Sequence, residues 1–197
     1  MNCNKELLAK VTTRLNYDII KPLLDKYEIN TTNRLAGFFA QVGHESADFK
    51  YKKESFKYSA DRLLKVFPKY FKTKEQAQKA IQEGSIAETI YGGRKDLGNT
   101  NPGDGSKFIG RGYIQLTGRN NYTKFANYIG KSLDDTVSYL ETEEGAFESA
   151  LWYWNSHNLN DYCDKDDIIA MTKKINGGTN GLDDRKNRYE RYKLLFV

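Results

Sequence analysis

Leu35–Ala36–Gly37–Phe38–Phe39–Ala40–Gln41–Val42–Gly43–His44–Glu45–Ser46–Ala47–Asp48–Phe49 reads as a helix that delivers a carboxylate at its end. Leu35, Phe38, Phe39 and Val42 recur at i, i+3, i+4 and i+7, the spacing of an apolar stripe pressed on a core. The next positions on that face are Glu45 and Phe49, so an acid stands on the greasy side. Thr31–Thr32–Asn33 offers N-cap chemistry just upstream, and the spacing predicts a helix over 33–46, with Gly43 interrupting it before the carboxylate.

Downstream, Lys50–Tyr51–Lys52–Lys53 leads to a second carboxylate, Glu54, nine residues after the first. The 50–58 segment, basic and aromatic, reads as an extended edge or loop. Upstream, residues 5–29 carry leucines and isoleucines at helical spacing, and Pro22 is expected to open a helix there. Further helices are predicted over 59–67, ending at Pro68, over 73–82 with an exposed, polar character, and over 85–91. A turn-rich segment follows from Tyr91 to Ser106. It contains no phosphate-binding GxxxxGK[ST] pattern, and loops of that length in a compact domain are usually functional. Around 110–118, apolar Ile114 and Leu116 alternate with Gln115 and Thr117, so a short hairpin is expected with Gln115 and Thr117 on one face. Helices are then expected over 120–129, over 141–157 with Phe147, Ala150, Leu151 and Trp154 inward, over 166–175 and over 183–196. In the last, Tyr189, Tyr192 and Leu195 face inward, and Arg185, Arg188 and Arg191 take outer or cleft positions. The expectation is a mainly α chain.

Composition narrows the classes. The chain has 197 residues, enough for one domain with a sizeable core. Its 31 Lys+Arg against 26 Asp+Glu give +5, which suits an anionic partner but is too small an excess for a dedicated nucleic-acid groove. Fourteen tyrosines suit either core packing or a sugar-binding surface. Cys3 and Cys163 lack CxxC spacing and are expected to be free thiols; with only His44 and His157, no metal site and no cofactor are expected. A mean hydropathy of −0.74 and the lack of an apolar run near ~20 residues argue against membrane insertion. Met1–Leu8 shows no signal-peptide pattern, so synthesis in the cytoplasm is expected, with some other route to any external substrate.

Two carboxyls in contrasting settings suit acid–base hydrolysis of a glycosidic bond. Glu45, pressed among Phe38, Val42 and Phe49, is expected to keep a proton and act as acid. Glu54, among Lys52, Lys53 and Lys57, is expected to be ionised and act as base. His44 reads as a hydrogen-bonding neighbour. On a continuous helix nine residues span ~13 Å, beyond the ~6.5–9.5 Å of inverting enzymes, so the chain must leave the helix after Glu45 and fold back. A hydroxyl such as that of Thr117 suits a second holder for the attacking water.

Gly43–His44–Glu45–Ser46, Tyr91–Gly92–Gly93–Arg94, Gly110–Arg111–Gly112–Tyr113–Ile114–Gln115–Leu116–Thr117–Gly118, Asn121–Tyr122 and Ile175–Asn176–Gly177–Gly178 resemble glycoside hydrolase family 19, the chitinase family whose phage members are endolysins. The likeness runs from about residue 33 to the C-terminus. It implies a lysozyme-like, mostly helical α+β fold of two lobes around a central cleft, as a single catalytic domain with residues 1–30 as an N-terminal helical part and 31–197 as the core. It also implies Glu45 as general acid, Thr117 as water holder, and Gln115, Asn121 and Asn176 as substrate-binding residues, with Tyr113 and His44 in the same set. Arg185 is implied as an arginine that supports the cleft. The family's second Glu lies on a longer loop in plant chitinases, and the interval to Glu54 resembles the shorter spacing of phage and bacterial lysins.

The expectation is therefore a monomeric endolysin-like glycosidase acting on peptidoglycan glycan strands. A chitinase is the alternative in the same class. A non-catalytic glycan- or nucleic-acid-binding module is the alternative from another.

Overall fold

A computed structural model describes residues 3–197; Met1 and Asn2, the first two residues of the stretch read for a signal, lie outside the described residues. In chain order the α-helices are α1 (Lys5–Val11), α2 (Tyr17–Lys26), α3 (Thr32–Glu45), α4 (Ala60–Val66), α5 (Lys74–Gln82), α6 (Ile86–Tyr91), α7 (Asp104–Lys107), α8 (Arg119–Ile129), α9 (Leu133–Tyr139), α10 (Glu143–Ser156), α11 (Leu159–Asp164), α12 (Ile168–Asn176) and α13 (Leu182–Leu195), with a 3-10 turn at Lys95–Leu97. The mainly α expectation holds. Among the described residues, no helix is long and apolar enough to cross a membrane.

The chain folds as two compact units. One takes Met1–Lys52, Gly112–Gln115 and Tyr139–Val197; the other takes Lys53–Arg111 and Leu116–Ser138. In the first, α3 packs most extensively on α13 and also against α11. Its core is aromatic. Phe38 meets Phe147 and Trp154 edge-on, each at 5.3 Å between ring centres, and Phe39 stacks on Phe196 at 5.8 Å. The second unit gathers Leu63, Phe71, Ala77, Ile86 and Ile90 around α4, α5 and α6.

Helix α3 departs from the one-sided stripe. Every residue from Leu35 to Gly43 is buried, so the helix runs through the unit rather than over it. Its second face is built of small residues. A Cβ on Gly37 would stand 2.6 Å from the Cys163 sulfur of α11, so this contact requires glycine. Thr31 caps the helix, its hydroxyl accepting from the Arg34 N–H at 3.3 Å. The helix ends at Glu45, and the chain then turns through Ala47, Asp48 and Phe49, all with positive φ (50°, 59° and 62°). Three successive left-handed residues without a glycine are costly. What holds them is local: the Ser46 hydroxyl donates to the Val42 carbonyl at 2.7 Å and accepts from the Phe49 N–H at 2.9 Å. The Phe49 ring is buried against Phe39 and Tyr113, at 5.9 and 5.2 Å.

Other elements depart from expectation for identifiable reasons. Pro22 does not open a helix but lies inside α2, which starts earlier because the Asn16 side chain accepts from the Asp18 N–H at 3.0 Å. Burial of Ile20, Leu23 and Leu24 outweighs the one backbone bond the proline removes. Helix α5 is not wholly exposed, since Ala77 and Ala80 are buried. Helices α9 and α11 were not anticipated; both are short and polar, with weak periodicity. The expected hairpin shrinks to isolated bridges, Lys53 with Arg111 and Arg111 with Leu116. The alternation of Ile114–Thr117 is not a strand pattern, because Gln115 adopts φ +54° in a tight turn, and so Gln115 and Thr117 do not share a strand face.

Both cysteines are free and buried. Burial pushes the Cys3 thiol up to about 11 and that of Cys163 higher still.

Candidate active site

In the first unit the acid candidate, Glu45, closes the last turn of α3. It is half-buried, and the apolar setting expected for it is only part of its environment. The Arg185 guanidinium, 2% exposed, hydrogen-bonds its carboxylate. Burial among phenyl rings is therefore not what fixes this carboxyl; a buried cation is. Arg185 is also not an outer or substrate-facing residue. It donates to the Gln41 side-chain oxygen and, at 3.3 Å, to the Asn180 carbonyl. Gln41 and Glu45 are i, i+4 neighbours on α3, which is why one guanidinium reaches both. Gln41 donates in turn to the Thr172 hydroxyl at 2.9 Å, and Thr172 donates to the Ile168 carbonyl at 2.8 Å. A fully buried polar chain thus runs from α12 to the acid, with each link satisfied.

His44 faces away from this chain. Its Nδ1 lies 2.7 Å from the Asp184 carboxylate, which also accepts from Arg188 Nε at 2.6 Å. Burial works against ionisation of Asp184, but the bonds from His44 and Arg188 outweigh it and hold its pKa below the usual carboxylate value. Arg188 bonds Asp48 as well, tying α13 to the left-handed turn. Gly181, at φ +69°, lies so close to His44 that a Cβ would stand 2.3 Å from the imidazole. Asn176, at the end of α12, donates to the Asn180 carbonyl at 3.1 Å, the same oxygen that Arg185 uses. Tyr153 of α10 feels Glu45 electrostatically: burial, and then the charge of Glu45, raise its phenol.

Tyr113 and Gln115 lie in the turn that the first unit borrows from mid-chain. Tyr113 is a core residue, not a presented ligand contact: it is 2% exposed, and burial pushes its phenol up to about 12. Gln115 folds its side chain back onto the Gly112 carbonyl at 3.1 Å. Gly112, at φ +74°, makes the turn possible, since a Cβ would stand 2.2 Å from the Ser149 hydroxyl.

In the second unit, Glu54 sits beside the Lys53–Arg111 bridge. Its backbone N–H donates to the Gly110 carbonyl at 2.8 Å. Its carboxylate accepts from the Tyr91 hydroxyl, at 2.9 and 3.1 Å to the two oxygens, and from the Gly110 N–H at 3.3 Å. A phenol and a backbone N–H thus orient it. Burial first, and then the Glu54 charge and hydrogen bond, push the Tyr91 phenol well above its ordinary value, so Tyr91 remains a donor. Asn121, in the first turn of α8, donates to the Thr117 carbonyl at 2.9 Å, leaving the Thr117 hydroxyl to other partners.

The structure therefore brings Glu45, Asn176 and Arg185 into one network, His44 into another with Asp184 and Arg188, and Glu54 together with Gly110 of the glycine-rich run into a third. Sequence reasoning missed Gln41, Thr172, Asp184 and Tyr91. Gln41 carried a signal, a lone amide inside an apolar helix one turn before the acid. Tyr91 stood in the quoted Tyr–Gly–Gly–Arg run without an assigned role.

No family model matches the chain. A glycosyl hydrolase family 19 domain-containing protein of Haemophilus influenzae is 35% identical over 176 residues, which is 88% of this chain and 85% of that protein. Acidic endochitinase Q of Nicotiana tabacum is 30% identical over 137 residues, 55% of this chain and 53% of that protein. Among solved structures, chitinase C of Streptomyces griseus superposes with a TM-score of 0.69 at 18% identity, covering 98% of this chain and 76% of that one. The fold is thus that of family 19 chitinases, and the sequence likeness runs over most of both chains. The chain belongs to glycosyl hydrolase family 19 and is a glycoside hydrolase.

Proposed function

We propose that this glycosidase cleaves β-1,4 linkages of bacterial peptidoglycan by single-displacement hydrolysis with inversion, as an endolysin. Glu45 gives its proton to the leaving glycosidic oxygen. Glu54 takes a proton from the attacking water, and the Thr117 hydroxyl holds that water in line. The water's oxygen forms the new bond to the anomeric carbon as the glycosidic bond breaks, so the anomer inverts.

The observation that carries the acid–base reading is the contrast between the two carboxyls. Glu45 has a buried polar chain behind it that fixes its direction without using all of its lone pairs. Glu54 is held by a tyrosine that stays protonated and by a backbone N–H, so it is oriented and remains an acceptor. The short interval between the carboxylates and the +5 charge favour a wall substrate. On this reading the enzyme acts as a monomer on the wall after release from the cytoplasm.

Purified sacculi and chitohexaose, each incubated with wild type, Glu45→Gln and Glu54→Gln, test it. Soluble wall fragments with an inverted anomer by NMR are expected from wild type. Each variant is expected to lose at least about 100-fold in rate while keeping its circular dichroism. Release of chitooligosaccharides without wall fragments would select a chitinase, the reading that the tobacco relative's name favours. Anhydro sugar ends with an active Glu54→Gln variant would instead mean a lytic transglycosylase.

A further inference from the structure

The first unit carries a concave surface, a groove of about 570 Å³ between the end of α1, the 12–14 segment and the exposed side of α13. Four cations line it: Lys10, Arg14, Arg188 and Arg191. Only two acids do so, Asp48 and Asp184, and both are bonded to Arg188. Lys10 pairs with Glu6 at 3.1 Å, which leaves the surplus to Arg14 and Arg191, both exposed. Arg14 gives one donor to the Asp48 carbonyl at 3.3 Å, and Arg191 gives one to the Tyr192 hydroxyl at 3.0 Å while lying 4.8 Å over that ring. A guanidinium carries five N–H groups, so each arginine keeps several for a ligand. Stacking on Tyr192 also limits the rotamers Arg191 must give up on binding. The groove lies beside the helix end that bears the acid: Asp184 lines it and bonds His44, which precedes Glu45 on α3.

An uncharged chitin chain offers such a surface hydrogen-bond acceptors but no ionised partner. Peptidoglycan offers one, because its muramyl residues carry stem peptides with free carboxylates, and arginine pairs with carboxylates through two parallel N–H bonds. We infer that the groove lined by Lys10, Arg14 and Arg191 is a carboxylate-binding subsite that receives the stem peptide of a muramyl residue while the glycan strand lies at Glu45. The inference rests on the peptidoglycan reading above and deepens it.

Two measurements with full-length Arg14→Gln/Arg191→Gln protein test it. The first compares kcat/KM on sacculi with that on chitohexaose. Each exposed pair is worth up to about fivefold, so the sacculus-to-chitohexaose ratio is expected to fall about tenfold, through KM. An unchanged ratio, whether neither rate moves or both fall together, overturns the subsite. The second titrates N-acetylmuramyl-L-alanyl-D-glutamate into wild type and records amide shifts by NMR. Shifts confined to 10–14 and 187–191, abolished in the double variant and by 0.5 M salt, support it; their absence overturns it. Wild type that cleaves no sacculi would sink the peptidoglycan reading alone, since the titration judges the groove independently of turnover.

Discussion

A guanidinium shared among Gln41, Glu45 and the Asn180 carbonyl gives the acid one settled orientation, and removing it would strand several buried polar groups at once. Arg185→Met is therefore expected to lower unfolding free energy by about 3 kcal/mol in urea melts, and to abolish turnover. Arg185→Lys keeps the charge but not the fork, and is expected to recover stability better than kcat. On the other carboxyl, Tyr91→Phe deletes a donor to Glu54 and keeps the ring that meets Phe56 at 6.3 Å. A hydrogen bond to a charged group is worth about 1.5–3 kcal/mol, so kcat is expected to fall roughly tenfold or more with little change in KM. A proportional rise in KM instead would mark Tyr91 as a binding group. At this scale the sequence reveals residue types in a motif but not who holds whom. Glu45 and Arg185 lie 140 positions apart, and nothing local distinguishes an arginine buried on α13 from its half-buried neighbour Arg188 or the exposed Arg191.

Helix α3 was legible because its apolar period, its Thr31 cap and its exit before Glu54 all leave local traces. Its full burial was not. The small residues on its second face are neutral in a periodicity reading, and only the close approach of α11 at Gly37 gives them meaning. The left-handed turn after Glu45 leaves no trace either, because Ala–Asp–Phe is not turn chemistry and the conformation is imposed by Ser46, Arg188 and the aromatic core. This makes Ala47 a relief point. It is exposed at φ 50°, where an L side chain costs about 1 kcal/mol that glycine does not. Ala47→Gly is expected to raise the melting temperature by about 2 °C in calorimetry; a fall would mean that the turn is not strained. The hairpin expected around 114–117 failed for the complementary reason: short alternation cannot show a positive φ at Gln115.

Across the molecule, helix content followed from period, whereas the split of the apolar core into two clusters and the discontinuous division of the chain did not. Residues 112–115 join a unit whose other parts lie at the two ends of the sequence, and only long-range packing assigns them. Charge pairing has a whole-molecule consequence in acid. Asp104 is 2% exposed and bonded by Arg119, chiefly through its side chain, which holds the Asp104 pKa below its ordinary value; Arg34 does the same for Asp164, and Lys193 with Tyr189 for Asp166. Because these pKa values are depressed on folding, their stabilisation is complete above the unfolded Asp value of about 3.9 and drains as pH falls through the folded values. Stability from urea melts is expected to be flat with respect to these groups from pH 6 to 5 and to drop below about pH 4. Asp104→Asn is expected to flatten that drop; an unchanged acid limb would refute the pair's part in it.

The seat of Cys163 against Gly37 turns that thiol into a clock. Its sulfur lies where no reagent can reach, and burial suppresses its thiolate, so the folded chain offers a thiol-specific dye almost nothing to attack. Labelling must wait for α3 and α11 to part. The pace of dye uptake at Cys163 therefore measures how often the helix bearing Glu45 loosens from its bed. A ligand gripping that helix is expected to slow the clock, giving an optical readout of occupancy that needs no turnover.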